Sequence, residues 1–130
     1  MASIFTRIVN KEIPAHVVAE TDDYLAFLDV RPQAKGHTLV IPKKEVDYIF
    51  DMEDEHLAGL MIFAKKVAKA LKKTVPCTRV GIAVIGLEVP HAHVHLMPIN
   101  HVSDLGFGKS LDISKEELMD IAAKIAANLD

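Results

Sequence analysis

The chain carries a single cysteine, Cys77, among 130 residues. It cannot close an internal disulfide and lacks the paired spacing of a thiolate zinc site, so its expected role is that of a small packing residue. Long apolar runs are missing too: nothing approaches the roughly 18 residues of a membrane span. The opening stretch Met1-Ala2-Ser3-Ile4-Phe5-Thr6-Arg7 has neither the apolar region nor the cleavage site of a signal peptide. Both absences predict a cytoplasmic protein with no membrane partner. Charge of one sign is also lacking, because fifteen basic against eighteen acidic residues leave -3. That is no electrostatic footprint for long nucleic acid, although a single nucleotide is not excluded. Finally, no repeat, linker or low-complexity tract divides the sequence. With half of its residues hydrophobic, it is expected to form one domain over residues 1–130.

Local patterns outline the elements. Ser3 is placed to cap a short helix to about Asn10, with Ile4, Phe5, Ile8 and Val9 as its apolar residues. His16–Glu20, Tyr24–Val30 and Thr38–Ile41 read as strands joined by short turns, which favours antiparallel pairing. From Glu53 to Lys73 the set Leu57, Leu60, Met61, Ala64, Val67, Ala68 and Leu71 keeps helical spacing, with acids first and lysines last. Thr78–Ile85 and His91–Met97 read as two further strands, and Ser114-Lys115-Glu116-Glu117 is a capping box that opens a terminal helix. Strands clustered in a meander, with helices between and after them, predict an α+β fold.

The densest chemistry is in Pro90-His91-Ala92-His93-Val94-His95-Leu96-Met97-Pro98. On an extended strand, alternate residues share a face, so three imidazoles stand in one row while Ala92, Val94 and Leu96 turn to the core. Three explanations stand open. The rings can be structural, but each then needs its own polar partner. They can bind a metal, since imidazole suits zinc, copper, iron and nickel, with Glu88, His37 or His101 recruited by folding. They can be catalytic, one neutral ring attacking while a neighbour manages charge, a division suited to phosphorus chemistry near neutral pH.

The alternating histidines with apolar spacers resemble the signature of the histidine triad, or HIT, superfamily of nucleotide hydrolases and transferases. Three further segments resemble its Hint branch in order: Ser3–Pro14, Tyr24–Ala34 and Gly36–Lys44, so the likeness covers roughly residues 3 to 97. The resemblance implies a HIT-like fold, an antiparallel sheet of about five strands with a long central helix, and dimers. It also implies that His93 is the nucleophile, that His95 donates to phosphate oxygens, that His91 orients His93 through its main-chain carbonyl, and that His37 supports a proton relay. Asp29 matches the carboxylate that takes the ribose hydroxyls. Ile4, Phe5, Ile8, Phe27 and Val30 match the base and ribose pocket. A histidine at position 95 resembles the hydrolases, where transferases have glutamine.

The sequence also departs from that pattern. The loop before the triad is compressed to Ala83–His91, and Glu88 stands about where relatives carry a serine that assists the leaving group. Ser3 and Thr6 replace the paired cysteines of zinc-binding relatives, and the capped terminal helix replaces the Hint tail. The expected activity is hydrolysis of a purine nucleoside 5'-phosphoramidate or related nucleoside monophosphate conjugate through a covalent nucleotidyl-histidine on His93, with neither metal nor cofactor. The alternatives are a dinucleoside polyphosphate hydrolase and a non-catalytic nucleotide-binding regulatory protein. A homodimer is expected, with the long helix as one candidate interface.

Overall fold

The computed structural model describes residues 2–108 and 110–130. Five antiparallel strands, β1 (Val17–Glu20), β2 (Tyr24–Leu28), β3 (Thr38–Pro42), β4 (Arg79–Ala83) and β5 (Val94–Ile99), lie in the order β1-β2-β3-β5-β4. The helices are α1 (Ile4–Val9), α2 (Asp54–Thr74) and α3 (Lys115–Ala127), with single 3₁₀ turns at Ile49–Asp51 and Val102–Leu105. The predicted α+β architecture is therefore the observed one: an antiparallel five-strand sheet, a long central helix and a C-terminal helix.

The polar caps set the helix starts. Ser3 Oγ accepts from the Thr6 amide at 3.0 Å and Ser114 Oγ from the Glu117 amide at 3.1 Å. The second half of the expected capping box is absent, because the Glu117 carboxylate reaches Lys35 at 2.8 Å instead. In α2, Asp54 and Glu55 at the start and Lys72 and Lys73 at the end complement the helix dipole. Its buried face runs through Leu60, Phe63, Ala64, Val67, Ala70 and Leu71, which leaves Met61 off the stripe and exposed.

Alternation along the strands divides the apolar residues between two layers. Ala26, Leu28, Val40, Val94 and Leu96 face α2 and α3 and form the larger core with Leu118, Ile121 and Ile125. Leu25, Phe27, Leu39 and Ile41 turn the other way, against Phe5 of α1. Each fully buried leucine or phenylalanine in these layers contributes about 1.5–3 kcal/mol of transfer free energy. Gly36 allows β3 to begin close under α2. Its φ is +87°, and a Cβ there would lie 2.7 Å from Leu71 Cδ1.

All five strands depart from the expected bounds at one end or both, and two of these boundaries, the end of β2 and the start of β5, have a hydrogen-bonding reason. β2 stops at Leu28 because Asp29 Oδ1 captures the Arg31 amide at 2.9 Å and turns the chain. β5 starts at Val94, not His91, because its ladder with β3 ends at Val40↔Val94. Beyond it the His91 amide bonds to Val89 O at 2.8 Å and the Ala92 amide to Val46 O at 2.7 Å. No helix of the described residues is long and apolar enough to cross a membrane.

Candidate active site

The three alternating histidines lie on the α1 side of the sheet although only His95 is within β5. The His93 and His95 ring centroids are 4.9 Å apart, His37 lies 5.2 Å from His95, and Phe5 packs edge-on to His91 and His93 at 5.8 and 5.0 Å. β5 supplies His95, the turn into β3 supplies His37, and the irregular segment before β5 supplies His91 and His93. All four rings are buried, so each ring nitrogen needs a partner or an opening to solvent.

The fixed donors and acceptors of the backbone determine where the protons sit. The Gln33 amide donates to His37 Nδ1 at 3.0 Å, so that nitrogen is an acceptor. Burial, then repulsion from His93, pushes His37 down to about 4. The ring is therefore neutral with its proton on Nε2, which donates to His95 Nδ1 at 2.9 Å. His95, also held at about 4 by burial first and by His37 and His93 second, must then carry its proton on Nε2. On the other side, His91 Nε2 lies 2.7 Å from Pro42 O and donates to it. His93 Nδ1 donates to His91 O at 2.7 Å. With Nδ1 committed as a donor, the nitrogen of His93 left to carry a lone pair is Nε2. Among the described residues neither His93 Nε2 nor His95 Nε2 has a protein partner, and no buried side-chain nitrogen or oxygen is unsatisfied; both atoms therefore face the opening and not the packed interior.

They open into a cleft of about 360 Å³ lined by His93, His95, His37, Asp29, Glu88 and Phe107, with Arg31 and Gln33 nearby on the β2–β3 turn. A bare imidazole lone pair beside an imidazole N–H is a nucleophile paired with a hydrogen-bond donor for developing charge. Asp29 keeps Oδ1 on the Arg31 amide, and burial raises its carboxyl above the usual range. Its Oδ2 lies 3.7 Å from His37 Nε2; with His37 neutral this is proximity and not an ion pair. Phe107 sets its ring edge-on to His95 at 4.9 Å and to His37 at 6.4 Å, and so walls that end of the cleft.

Asp29, His37 and His95 are the one group among the described residues with ligand atoms close enough to share a metal, all within 4.8 Å. The surroundings oppose that use. A neutral His37 that ligates through Nε2 must carry its proton on Nδ1, where the Gln33 amide already points its own. Metal-bound imidazoles are normally supported by an acceptor at that position, not a donor.

A family model for the HIT domain matches residues 10–102. The chain belongs to the HIT family. Among HIT relatives it is similar to the adenosine 5'-monophosphoramidase of Schizosaccharomyces pombe, 36% identical over 132 residues and covering 99% of each chain. The adenosine 5'-monophosphoramidase of Saccharomyces cerevisiae is 41% identical over 98 residues, 75% of this chain and 62% of the yeast protein. A crystal structure of a Hit-like protein involved in cell-cycle regulation from Bartonella henselae superposes with a TM-score of 0.86 at 35% identity, covering 98% of this chain and 96% of that one.

Within this HIT domain the expected site residues separate into two sets. His93, His95, His37, Asp29 and Glu88 line one cleft, and His91 lies directly behind His93. The expected base pocket is not part of that lining: Phe5 and Phe27 pack on each other at 5.5 Å in the smaller core with Ile8 beside them, while Ile4 and Val30 are exposed. Lys43 pairs with Glu20 at 2.7 Å, away from the cleft. The sequence carried no sign of Phe107, which lies beyond the resembling segments, or of Gln33, which acts only through its main-chain amide.

Proposed function

We propose that the protein is a nucleotide hydrolase that cleaves a purine nucleoside 5'-phosphoramidate or a related nucleoside monophosphate conjugate. One observation carries this reading: the hydrogen bond from His93 Nδ1 to His91 O leaves the Nε2 lone pair bare in the cleft, beside the outward N–H of His95. His93 Nε2 attacks the α-phosphorus, the bond to the leaving amine breaks, and the amine departs with a proton drawn from cleft water, which the hydrolytic water of the next step returns to solvent. Water then displaces Nε2 from the nucleotidyl-histidine, releases the monophosphate and restores the neutral ring. His91 O steadies the imidazolium of the intermediate, and His95 Nε2–H meets the phosphate oxygens. His37 holds His95 in that tautomer, and Asp29 Oδ2 takes the ribose hydroxyls. Of the residues expected to hold the base, Ile4 and Val30 are exposed and free to meet it, while Phe5, Ile8 and Phe27 are packed in and against the smaller core.

The names of the two yeast relatives support an amine leaving group.

We also propose that the 130 residues act as one domain in a cytoplasmic homodimer. Among the described residues β4 pairs only with β5, at the end of the strand order, and its outer edge has no strand partner. Beside it, Ile82, Val84, Ile85, Tyr48, Phe50 and Leu87 form an exposed apolar surface, with Phe50 73% and Leu87 88% accessible. A second copy satisfies both features at once, because a twofold axis pairs β4 with its own antiparallel image.

The test is to incubate wild type and His93→Ala with adenosine 5'-phosphoramidate and with diadenosine polyphosphates, with and without chelator. Monophosphate release and the intact protein mass are followed. A quenched adenylyl adduct in wild type, absent from His93→Ala and indifferent to chelator, is expected. Turnover by His93→Ala, or activity removed by chelator, defeats the proposal.

A further inference from the structure

A second polar set is packed behind the nucleophile, outside the cleft. Glu45, in the loop after β3, places Oε1 2.7 Å from the Ser3 amide and 2.6 Å from Thr6 Oγ1, both of which donate to it. Ser3 Oγ accepts from the Thr6 amide and lies 2.8 Å from His91 Nδ1. His91 has committed its Nε2 proton to Pro42 O, so Nδ1 holds only a lone pair and the Ser3 hydroxyl is its donor. From there His91 O receives Nδ1–H of His93. The series joins an exposed carboxylate to the ring that attacks: Glu45 accepts from the Ser3 amide and the Thr6 hydroxyl, the Ser3 hydroxyl donates to His91, and His93 donates to the His91 carbonyl.

The Thr6 hydroxyl shows why the carboxylate matters. It lies 3.4 Å from His91 Nδ1 and 3.3 Å from Ser3 Oγ, near enough to compete with Ser3 or to draw its proton away. Glu45 removes that competition by taking the Thr6 proton, and the same oxygen anchors the start of α1 through the Ser3 amide. These hydrogen bonds, the Thr6 hydroxyl first, hold its carboxyl down to about 2, so it is an ionised acceptor throughout the neutral range.

We propose that Glu45 is a positioning residue for His93: by holding the Ser3 amide and the Thr6 hydroxyl it keeps the Ser3 hydroxyl on His91, and thereby the His91 carbonyl on His93. This rests on the assignment of His93 as nucleophile. It acts through two intermediate groups and touches no substrate, so its signature is in turnover and ring tautomers and not in binding.

The experiment compares full-length wild type with Glu45→Ala, Glu45→Gln and Ser3→Ala, all labelled with ¹⁵N-histidine. Long-range proton–nitrogen correlation reads the tautomers of His91 and His93 without substrate, and kcat and KM are measured on adenosine 5'-phosphoramidate. Wild type should show His91 protonated on Nε2 and His93 on Nδ1. Glu45→Ala should let the His91 ring slip from Pro42 O and its carbonyl from His93 Nδ1, so that both rings, freed of those main-chain partners, mix their tautomers and kcat falls on the order of tenfold to a hundredfold, with KM held within about twofold. Glu45→Gln, whose amide oxygen still accepts both bonds, should recover most of kcat. Ser3→Ala removes the donor itself and should reproduce the ring signature, which keeps the test decisive if Glu45→Ala folds poorly. Wild-type tautomers in the folded variants overturn the proposal, as does a Glu45→Gln no better than Glu45→Ala, or a loss confined to KM. If wild type turns over no phosphoramidate, the assignment of His93 falls while the ring spectra still decide the role of Glu45.

Discussion

Acidification should destabilise this protein through its buried histidines, His37 and His95 above all, with His91, also lowered by burial, adding in the same sense; replacing His37 by glutamine should remove about half of that pair's share. Both rings are held near 4 in the folded chain, chiefly by burial, against 6.5 when exposed. A histidine depressed in this way binds fewer protons folded than unfolded. Its stability contribution is therefore complete above about pH 6.5 and is lost as the pH falls toward 4. Between pH 7 and pH 5 the unfolded ring becomes almost fully protonated while the folded ring stays mostly neutral, which costs about 2 kcal/mol per ring. Two rings give about 4 kcal/mol, a large part of the 5–15 kcal/mol typical of a domain. The carboxylates with lowered values, Glu20, Glu45 and Asp104, act mainly below this window, and raised Asp29 works in the opposite sense. Urea titrations at pH 7 and pH 5 read the difference directly. His37→Gln can be less stable than wild type at both pH values, yet the loss between them should be smaller by about 2 kcal/mol, about 1 M in midpoint. An equal acid loss in the two proteins refutes the account of neutral, hydrogen-bonded rings.

Gly36→Ala should destabilise by about 1–3 kcal/mol in the same titration, because the added methyl meets Leu71 and Val75 at a backbone φ of +87°; a loss under about 0.5 kcal/mol refutes the close approach. Ile82→Lys, on the outer edge of β4, should convert the proposed dimer to a folded monomer in sedimentation, since each copy would bring a charge into the shared seam. A dimer unchanged by the substitution places the interface elsewhere.

The larger features were legible because they depend on local chemistry. Serines at 3 and 114 cap their helices as their positions promise, and the apolar period of α2 survives with Phe63 in place of Met61. The alternation of His93, Val94, His95 and Leu96 did sort rings from core. What escaped depends on partners far along the chain. The start of β5 at Val94 reflects where β3 stops pairing and where the loop at Val46 takes the Ala92 amide. Glu45 and Ser3 are 42 positions apart, and Ser3 and His91 are 88 apart, so no spacing rule joins them. The tautomers were illegible for the same reason: they are dictated by the main-chain groups of Gln33, Pro42 and His91, whose directions follow from the fold and not from residue type.

The route taken by the last thirty residues has a practical consequence. After β5 the chain passes the mouth of the cleft, where Phe107, Gly108 and Ser110 contribute to its wall and Leu111 is tied to Pro32 O at 2.6 Å. It then delivers α3, whose Leu118, Ile121 and Ile125 complete the larger core. Gatekeeper and buttress thus share one covalent tether. Shortening the C-terminus to admit bulkier substrates would strip a helix from the hydrophobic interior, so an engineer seeking a wider entrance must recut the side chains of the tether and leave its backbone whole.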